Sequence, residues 1–206
     1  MRIRKRSYDR RLYNHRIENN IKLRIMKEGL EVLVVSYGGS CCNLLVSLLQ
    51  KNNIKSTCPI WHQIACHCPE YVNVNIPTIY VYDNPVRSFL SMKRRGTGIW
   101  DVNQQKLSNN NHISLSDEQL LSLMIKQFKS WSAHSHKNNL LFLKSEELFQ
   151  SHVTSKINLL LKKKCMGFPA QYIPPKTDVN HVTESQQLLF QKYAKDIDYI
   201  NNFNRV

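Results

Sequence analysis

The chain has 206 residues, 42% of them hydrophobic, enough for one domain with a full core and too few for two independent domains of ordinary size. Lys and Arg number 29 against 15 Asp and Glu, and the formal net charge of +14 favours polyanionic or phosphorylated partners without naming one. No uncharged run approaches the roughly 20 residues of a membrane span, and the first residues are too charged for a secretory leader, so a soluble, cytoplasmic protein is expected.

The opening "MRIRKRSYDRRLYNHR" holds much of the positive charge with little apolar periodicity. It reads as a basic N-terminal arm, residues 1–28, before a single domain at 29–206. Such an arm suits RNA, DNA or an anionic lipid surface, and equally a solvated tail. Next comes "EVLVVSY", a near-continuous apolar run of the kind found in central parallel strands. It ends in Gly38-Gly39 and feeds a helix whose Leu44, Leu45, Leu48 and Leu49 share one face.

A strand, a glycine turn and a helix N-terminus in succession aim several backbone N–H groups at one spot, which suits a phosphate or sulfate. The side chains on offer are Ser36, Tyr37, Ser40, Cys41 and Cys42, with no lysine among them. The loop is therefore not a Walker A motif, and ATP hydrolysis of the common P-loop kind is not expected. Two thiols at a helix start also raise thiol chemistry, since that position lowers a cysteine's pKa, but no resolving partner or base accompanies them.

The remaining cysteines do not form a secreted disulfide framework. Within "CPIWHQIACHC", Cys58, His62, Cys66 and Cys68 have the chemistry of a tetrahedral zinc site. The paired C-x-x-C spacing is missing, however, and "IACHC" reads as a short buried strand in which Cys is a small hydrophobe, so no metal is expected.

"TIYVYD", residues 78–83, is the next strand, and Asn84-Pro85 starts a helix with a capping residue and a first-turn proline. On that helix Asn84, Arg87, Ser88, Ser91 and Arg95 make a polar stripe opposite Phe89 and Leu90, either facing a phosphate or simply solvated. Residues 96–115 read as a long loop. Ser116 and Gln119 form a capping box for a helix with a buried stripe of Leu120, Met124, Phe128 and Trp131. "NLLFLKSEEL" is a third strand running into a turn. Helix returns over 154–164, and Thr183 with Gln186 caps a last helix through "QQLLFQKYAKDI".

Strands alternating with helices predict an α/β fold of three layers, a mainly parallel sheet with helices on both faces. Ligands of such sheets bind beyond the carboxyl ends of the strands, where Tyr37 to Ser40, His67, and Asp83 with Asn84 converge on one crevice.

These motifs, in this order, resemble the sulfotransferase family over most of residues 30–200. The family's Y-P-[KR]-S-G-[ST] loop is similar to "YGGSCCN": Tyr37 and Ser40 match, Gly39 takes the place of the cation, and Cys41 that of glycine. Its K-T-H-x-P strand end is similar to "ACHCP", which keeps His67 and Pro69 and has Ala65 for the lysine. Its R-[ND]-P-x-D-x-x-x-S signature is similar to "DNPVRSFLS", which keeps Asn84, Pro85 and Ser91, with Asp83 and Arg87 as if the two charges had changed places. "LLFLKSEEL" looks like the later Y-E-D-L turn, with Glu146 and Leu148 matching.

The resemblance implies a P-loop NTPase-like scaffold that binds 3'-phosphoadenosine 5'-phosphosulfate or adenosine 3',5'-bisphosphate, without a metal. Tyr37, Gly38, Gly39, Ser40, Cys41 and Cys42 would hold the 5' end, and Asn84, Arg87 and Ser91 the 3'-phosphate. Residues four apart on a helix face the same way, so Arg87 still offers its guanidinium there.

Sulfuryl transfer to a hydroxyl acceptor rests on in-line positioning, donors aimed at the transferred oxygens and a base. His67 is the expected base, since imidazole suits that role near neutral pH; its plainer reading is a structural histidine at a strand end. Losing a stabilising donor typically costs about 10²- to 10³-fold in rate, so Gly39 calls for Lys93, Arg94 or a loop lysine to reach in. The alternative is a catalytically inactive relative of this fold, a nucleotide or polyanion (nucleic acid) binding module.

Overall fold

A computed structural model describes residues 18–19, 21–23, 25–56, 70–94, 115–163 and 182–203. The first 17 residues, the Cys58/His62/Cys66/Cys68 cluster, the short strand expected around His67 and the loop over 96–114 lie outside the described residues.

Among the described residues, three strands form a parallel sheet in the order β1 (Leu33–Val35), β2 (Thr78–Tyr82), β3 (Leu140–Lys144). Val34 is in register with Ile79, and Ile79 with Leu141. On the other edge of β1, Val32 makes a parallel bridge to Ser56, and the Glu31 and Val32 amides donate to the Lys55 carbonyl. Every residue of β1 and β2 is buried, which is why the strands show an apolar run rather than alternation with polar residues.

The helices bounded within the described residues are α1 (Cys42–Lys51), α2 (Pro85–Arg94), α3 (Asp117–Ser132), α4 (Ser151–Leu161), α5 (Glu184–Lys192) and α6 (Ala194–Asn201), and residues 18–19, 21–23 and 25–28 are also helical. The pleat of the strands sorts their side chains into two apolar clusters. Leu33, Val35, Tyr80, Tyr82, Leu140 and Phe142 join Phe89 and Met92 of α2 and Leu120, Met124, Phe128 and Trp131 of α3. Val34, Ile79, Val81 and Leu143 join Leu45, Val46 and Leu49 of α1 and Val153 and Ile157 of α4. The chain is thus an α/β protein with a small parallel sheet, as the alternation of elements predicts.

The helix ends follow their local sequence. Both expected capping boxes form: Ser116 Oγ accepts from the Gln119 amide at 3.2 Å, and Thr183 Oγ1 from the Gln186 amide at 3.3 Å. Helix α1 ends with Asn53 at φ 56° while the Ile54 amide reaches back to the Leu49 carbonyl at 2.9 Å, a left-handed stop.

Two features differ from the sequence reading. The last helix is two: the backbone turns at Tyr193 (φ −104°, ψ 15°), whose carbonyl accepts the first amides of α6. The turn lets Leu189 and Phe190 from one piece and Ile200 from the other reach the same apolar cluster. The arm assigned to residues 1–28 also reaches the core at its end. Ile21 is 2% exposed within the first cluster and Ile25, one helical turn on, packs against it. Among the described residues, no helix is long and apolar enough to cross a membrane.

Candidate functional site

The carboxyl ends of β1, β2 and β3 come together through their side chains. After β1 the chain turns through Gly38 (φ 98°), Gly39 (φ 69°) and Cys41 (φ 61°) into α1. Ser36 Oγ accepts the Gly38 amide at 3.2 Å, and the Gln127 side chain of α3 donates to the Ser36 carbonyl at 3.3 Å. Cys41 occupies the cap position of α1 without a side-chain capping bond, and the first turn of that helix carries no acidic residue. Helices α3 and α5, by contrast, have both a capping box and acids in their first turns.

Tyr37 and Ser40, two of the residues expected to bind cofactor, tie the loop to β2. The fully buried Tyr37 hydroxyl donates to the Asp83 carbonyl and accepts the Asp83 amide at 3.0 Å. Burial pushes its phenol far above the ordinary tyrosine range, against the hydrogen bond it accepts from the Asp83 amide. Ser40 is also fully buried, and its hydroxyl donates to the Val81 carbonyl at 3.1 Å. What the loop can direct at an anion is therefore its backbone, reinforced by the α1 N-terminus.

Gly39 explains the missing lysine. A Cβ there would lie 2.6 Å from the Ser88 carbonyl oxygen and 2.9 Å from its Cα, so the loop rests directly on the backbone of α2. Any side chain at this position meets main chain that cannot swing away.

On α2, Asn84 Oδ1 accepts the Val86 amide at 2.8 Å and the Arg87 amide at 3.2 Å, the capping role read from the sequence. Within the polar stripe Ser88 is fully buried, Ser91 is 4% exposed, and Asn84 and Arg87 are half-buried, while Arg95 lies outside the described residues. Ser88 Oγ, close to the Tyr37 hydroxyl, has no partner in hydrogen-bond geometry.

Arg87 is held by carboxylates. Its Nη2 lies 2.5 Å from Asp83 Oδ1 and 3.4 Å from Glu146 Oε2, while its Nε is buried without a hydrogen-bond partner. Glu146 sits in the turn after β3, its other oxygen 2.8 Å from Lys144 Nζ. The Lys144 hydrogen bond, with Arg87 assisting, holds the Glu146 carboxyl below its ordinary range. Lys144 also donates to the Asn201 carbonyl at 3.2 Å. Asp83 and Arg87, four positions apart, thus form an ion pair one helical turn long.

Of the expected site residues, the structure brings together the ends of three strands: Tyr37 with Asp83, Gly39 with Ser88, and Arg87 with Glu146. It does not bring in Lys93. That side chain, proposed as a stand-in cation, contacts both carboxylate oxygens of Asp117 at 2.8 Å, at the start of α3. Cys42 is buried, its thiol 3.7 Å from Asn43 Oδ1, and Cys41 is half-buried. His67 lies outside the described residues, and among the described residues no group of three or more His, Cys, Asp and Glu side chains is placed to hold a metal ion.

Lys144 was missed by the sequence reading. The available signal was its place as the last residue of a strand two positions before Glu146, on the edge where ligands of parallel sheets bind. No family model, curated protein or solved structure matches the chain.

Proposed function

We propose that the chain is a sulfotransferase-like protein with a three-layer, P-loop NTPase-like fold, which binds a 3'-phosphoadenosine 5'-phosphosulfate type nucleotide at the carboxyl ends of its strands and transfers sulfate to a hydroxyl acceptor. The supporting observation is the meeting of the glycine loop, entering a helix without a side-chain cap, with the Asn84-capped helix on the neighbouring parallel strand. On this reading the backbone of Gly38 to Cys42 holds the 5' end, and Asn84, Arg87 and Ser91 hold the 3'-phosphate. His67 takes the acceptor proton. The bound nucleotide supplies an activated sulfuryl group; the chain's own residues orient it and neutralise its charge.

The residues fit the nucleotide's phosphates better than they fit rapid transfer. Gly39 admits no cation and Lys93 is engaged with Asp117. That favours a second reading, a catalytically inactive relative of the fold serving as a nucleotide or polyanion binding module, with the basic arm of Arg2 to Arg16 available to nucleic acid.

Calorimetric titration of the full chain with adenosine 3',5'-bisphosphate, with ATP as the control and at two salt concentrations, tests the binding step. Selective micromolar binding that weakens in Ser91→Ala supports the cofactor site, and sulfate transfer abolished by His67→Ala supports the enzyme. Binding without transfer supports the module. Equal, salt-sensitive binding of any polyanion overturns the nucleotide site.

A further inference from the structure

We propose that Arg87 and Lys144 form a two-cation site for the phosphate group of a ligand, and that Glu146 is its internal competitor, a carboxylate that occupies the pair until a phosphate displaces it. The inference rests on the nucleotide reading for the identity of the ligand, and on the geometry of the four charged residues for the site itself.

The two oxygens of Glu146 are divided between two cations from different chain segments, Oε1 with Lys144 Nζ at 2.8 Å and Oε2 with Arg87 Nη2 at 3.4 Å. Two oxygens of one phosphate can be shared between the same cations in the same way. The acids differ in how firmly they are held. Asp83 has a side chain only 13% exposed, lies 2.5 Å from Arg87, and also accepts the Asn84 amide at 2.6 Å, so it is the fixed anchor of the guanidinium. Glu146 has a side chain 50% exposed and makes the longer contact to Arg87, so it can turn out to water at little cost.

Charge completes the argument. Asp83, Arg87, Lys144 and Glu146 sum to zero with Glu146 in place; with it turned away, one net positive charge remains for a phosphate to neutralise. The guanidinium is not saturated either, since its Nε is buried and unpartnered. Glu146 thus sets a threshold. A ligand with one weak negative charge does not displace it, whereas a dianionic phosphate does.

The test compares inorganic phosphate binding to the full chain and its Glu146→Gln variant by calorimetry at constant ionic strength. Removing the competing charge is expected to tighten phosphate binding about 3- to 10-fold, and Lys144→Gln in the same background is expected to cancel the gain. Glu146→Asp, too short to reach both cations, shows a smaller gain and serves if the Gln variant does not fold. Unchanged or weaker phosphate binding in the Glu146 variants, or a gain that survives Lys144→Gln, overturns the proposal. A parallel titration with adenosine 3',5'-bisphosphate separates the two readings. A phosphate gain in a chain that does not bind the nucleotide leaves the cation pair standing and removes the nucleotide; nucleotide binding with no gain does the reverse.

Discussion

Gly39 and Ser88 touch main chain to main chain: the Ser88 carbonyl oxygen lies 2.6 Å from where a Cβ of residue 39 would stand. Gly39 is also held at φ 69°, a region that L side chains enter at a cost. Gly39→Ala therefore adds left-handed strain to a collision with helix backbone, and is expected to destabilise the fold by about 2–4 kcal/mol, read from urea unfolding midpoints. Gly39→Lys, which would place a cation in the glycine loop, is expected to be at least as damaging and to leave affinity for adenosine 3',5'-bisphosphate no higher. Full stability in either variant would show that the loop can lift away from α2.

Two buried serines in adjoining segments are expected to behave oppositely. Ser40 Oγ donates to the Val81 carbonyl at 3.1 Å, so Ser40→Ala leaves a buried carbonyl without that donor and is expected to cost about 1–3 kcal/mol. Ser88 Oγ is buried without a partner, and Ser88→Ala removes an unpaired polar atom, with an expected change within about 0.5 kcal/mol or a small gain. Chemical denaturation of the two variants side by side checks the contrast. Equal losses would place an unseen partner on Ser88.

Local patterns carried most of the fold. The strands were legible because burial on both faces leaves a run such as "TIYVY" with no polar interruption, and the helix starts because Ser116/Gln119 and Thr183/Gln186 state the capping box within four residues. Contacts between distant segments were not legible. Arg87 reads as a free guanidinium until Glu146, 59 positions later, is found beside it. Ser88 reads as part of a polar stripe until the glycine loop is found on top of it. The turn at Tyr193 has no glycine or proline to announce it, and arises where two short apolar faces must reach one cluster. The strand–turn–helix that forms the candidate loop was readable, but the reason it lacks a lysine was a tertiary one.

Lys93 provides a negative control for the proposed nucleotide site. Its ammonium lies 5.8 Å from the Phe89 ring centroid on the same helix and contacts both oxygens of Asp117, which ties α2 to the start of α3. Lys93→Met is expected to change the affinity for adenosine 3',5'-bisphosphate less than twofold and the stability by no more than about 1 kcal/mol, because exposed ion pairs contribute little. A loss of nucleotide affinity comparable to that of Arg87→Ala would mean that Lys93 leaves Asp117 for the ligand.

The Glu146 ion pairs set the direction of an acid response. Lys144 first, and Arg87 after it, hold the Glu146 carboxyl below its usual value of 4.5, so the folded state binds this proton more weakly than the unfolded chain does. The resulting stabilisation is fully present above the unfolded pKa and disappears as pH falls through the lower folded one. Glu31, hydrogen-bonded to Lys163 and to the Lys55 amide, and Glu118, hydrogen-bonded to Lys192, add contributions of the same sign. The urea midpoint of the wild-type chain should therefore be flat near neutrality and fall below about pH 4.5. Glu146→Gln cannot titrate at that position, so its midpoint should start lower at pH 7 and converge on the wild type as pH falls through the lowered folded-state pKa of Glu146. A constant gap between the two curves across that range would show that Glu146 contributes to the fold through packing and not through its charge.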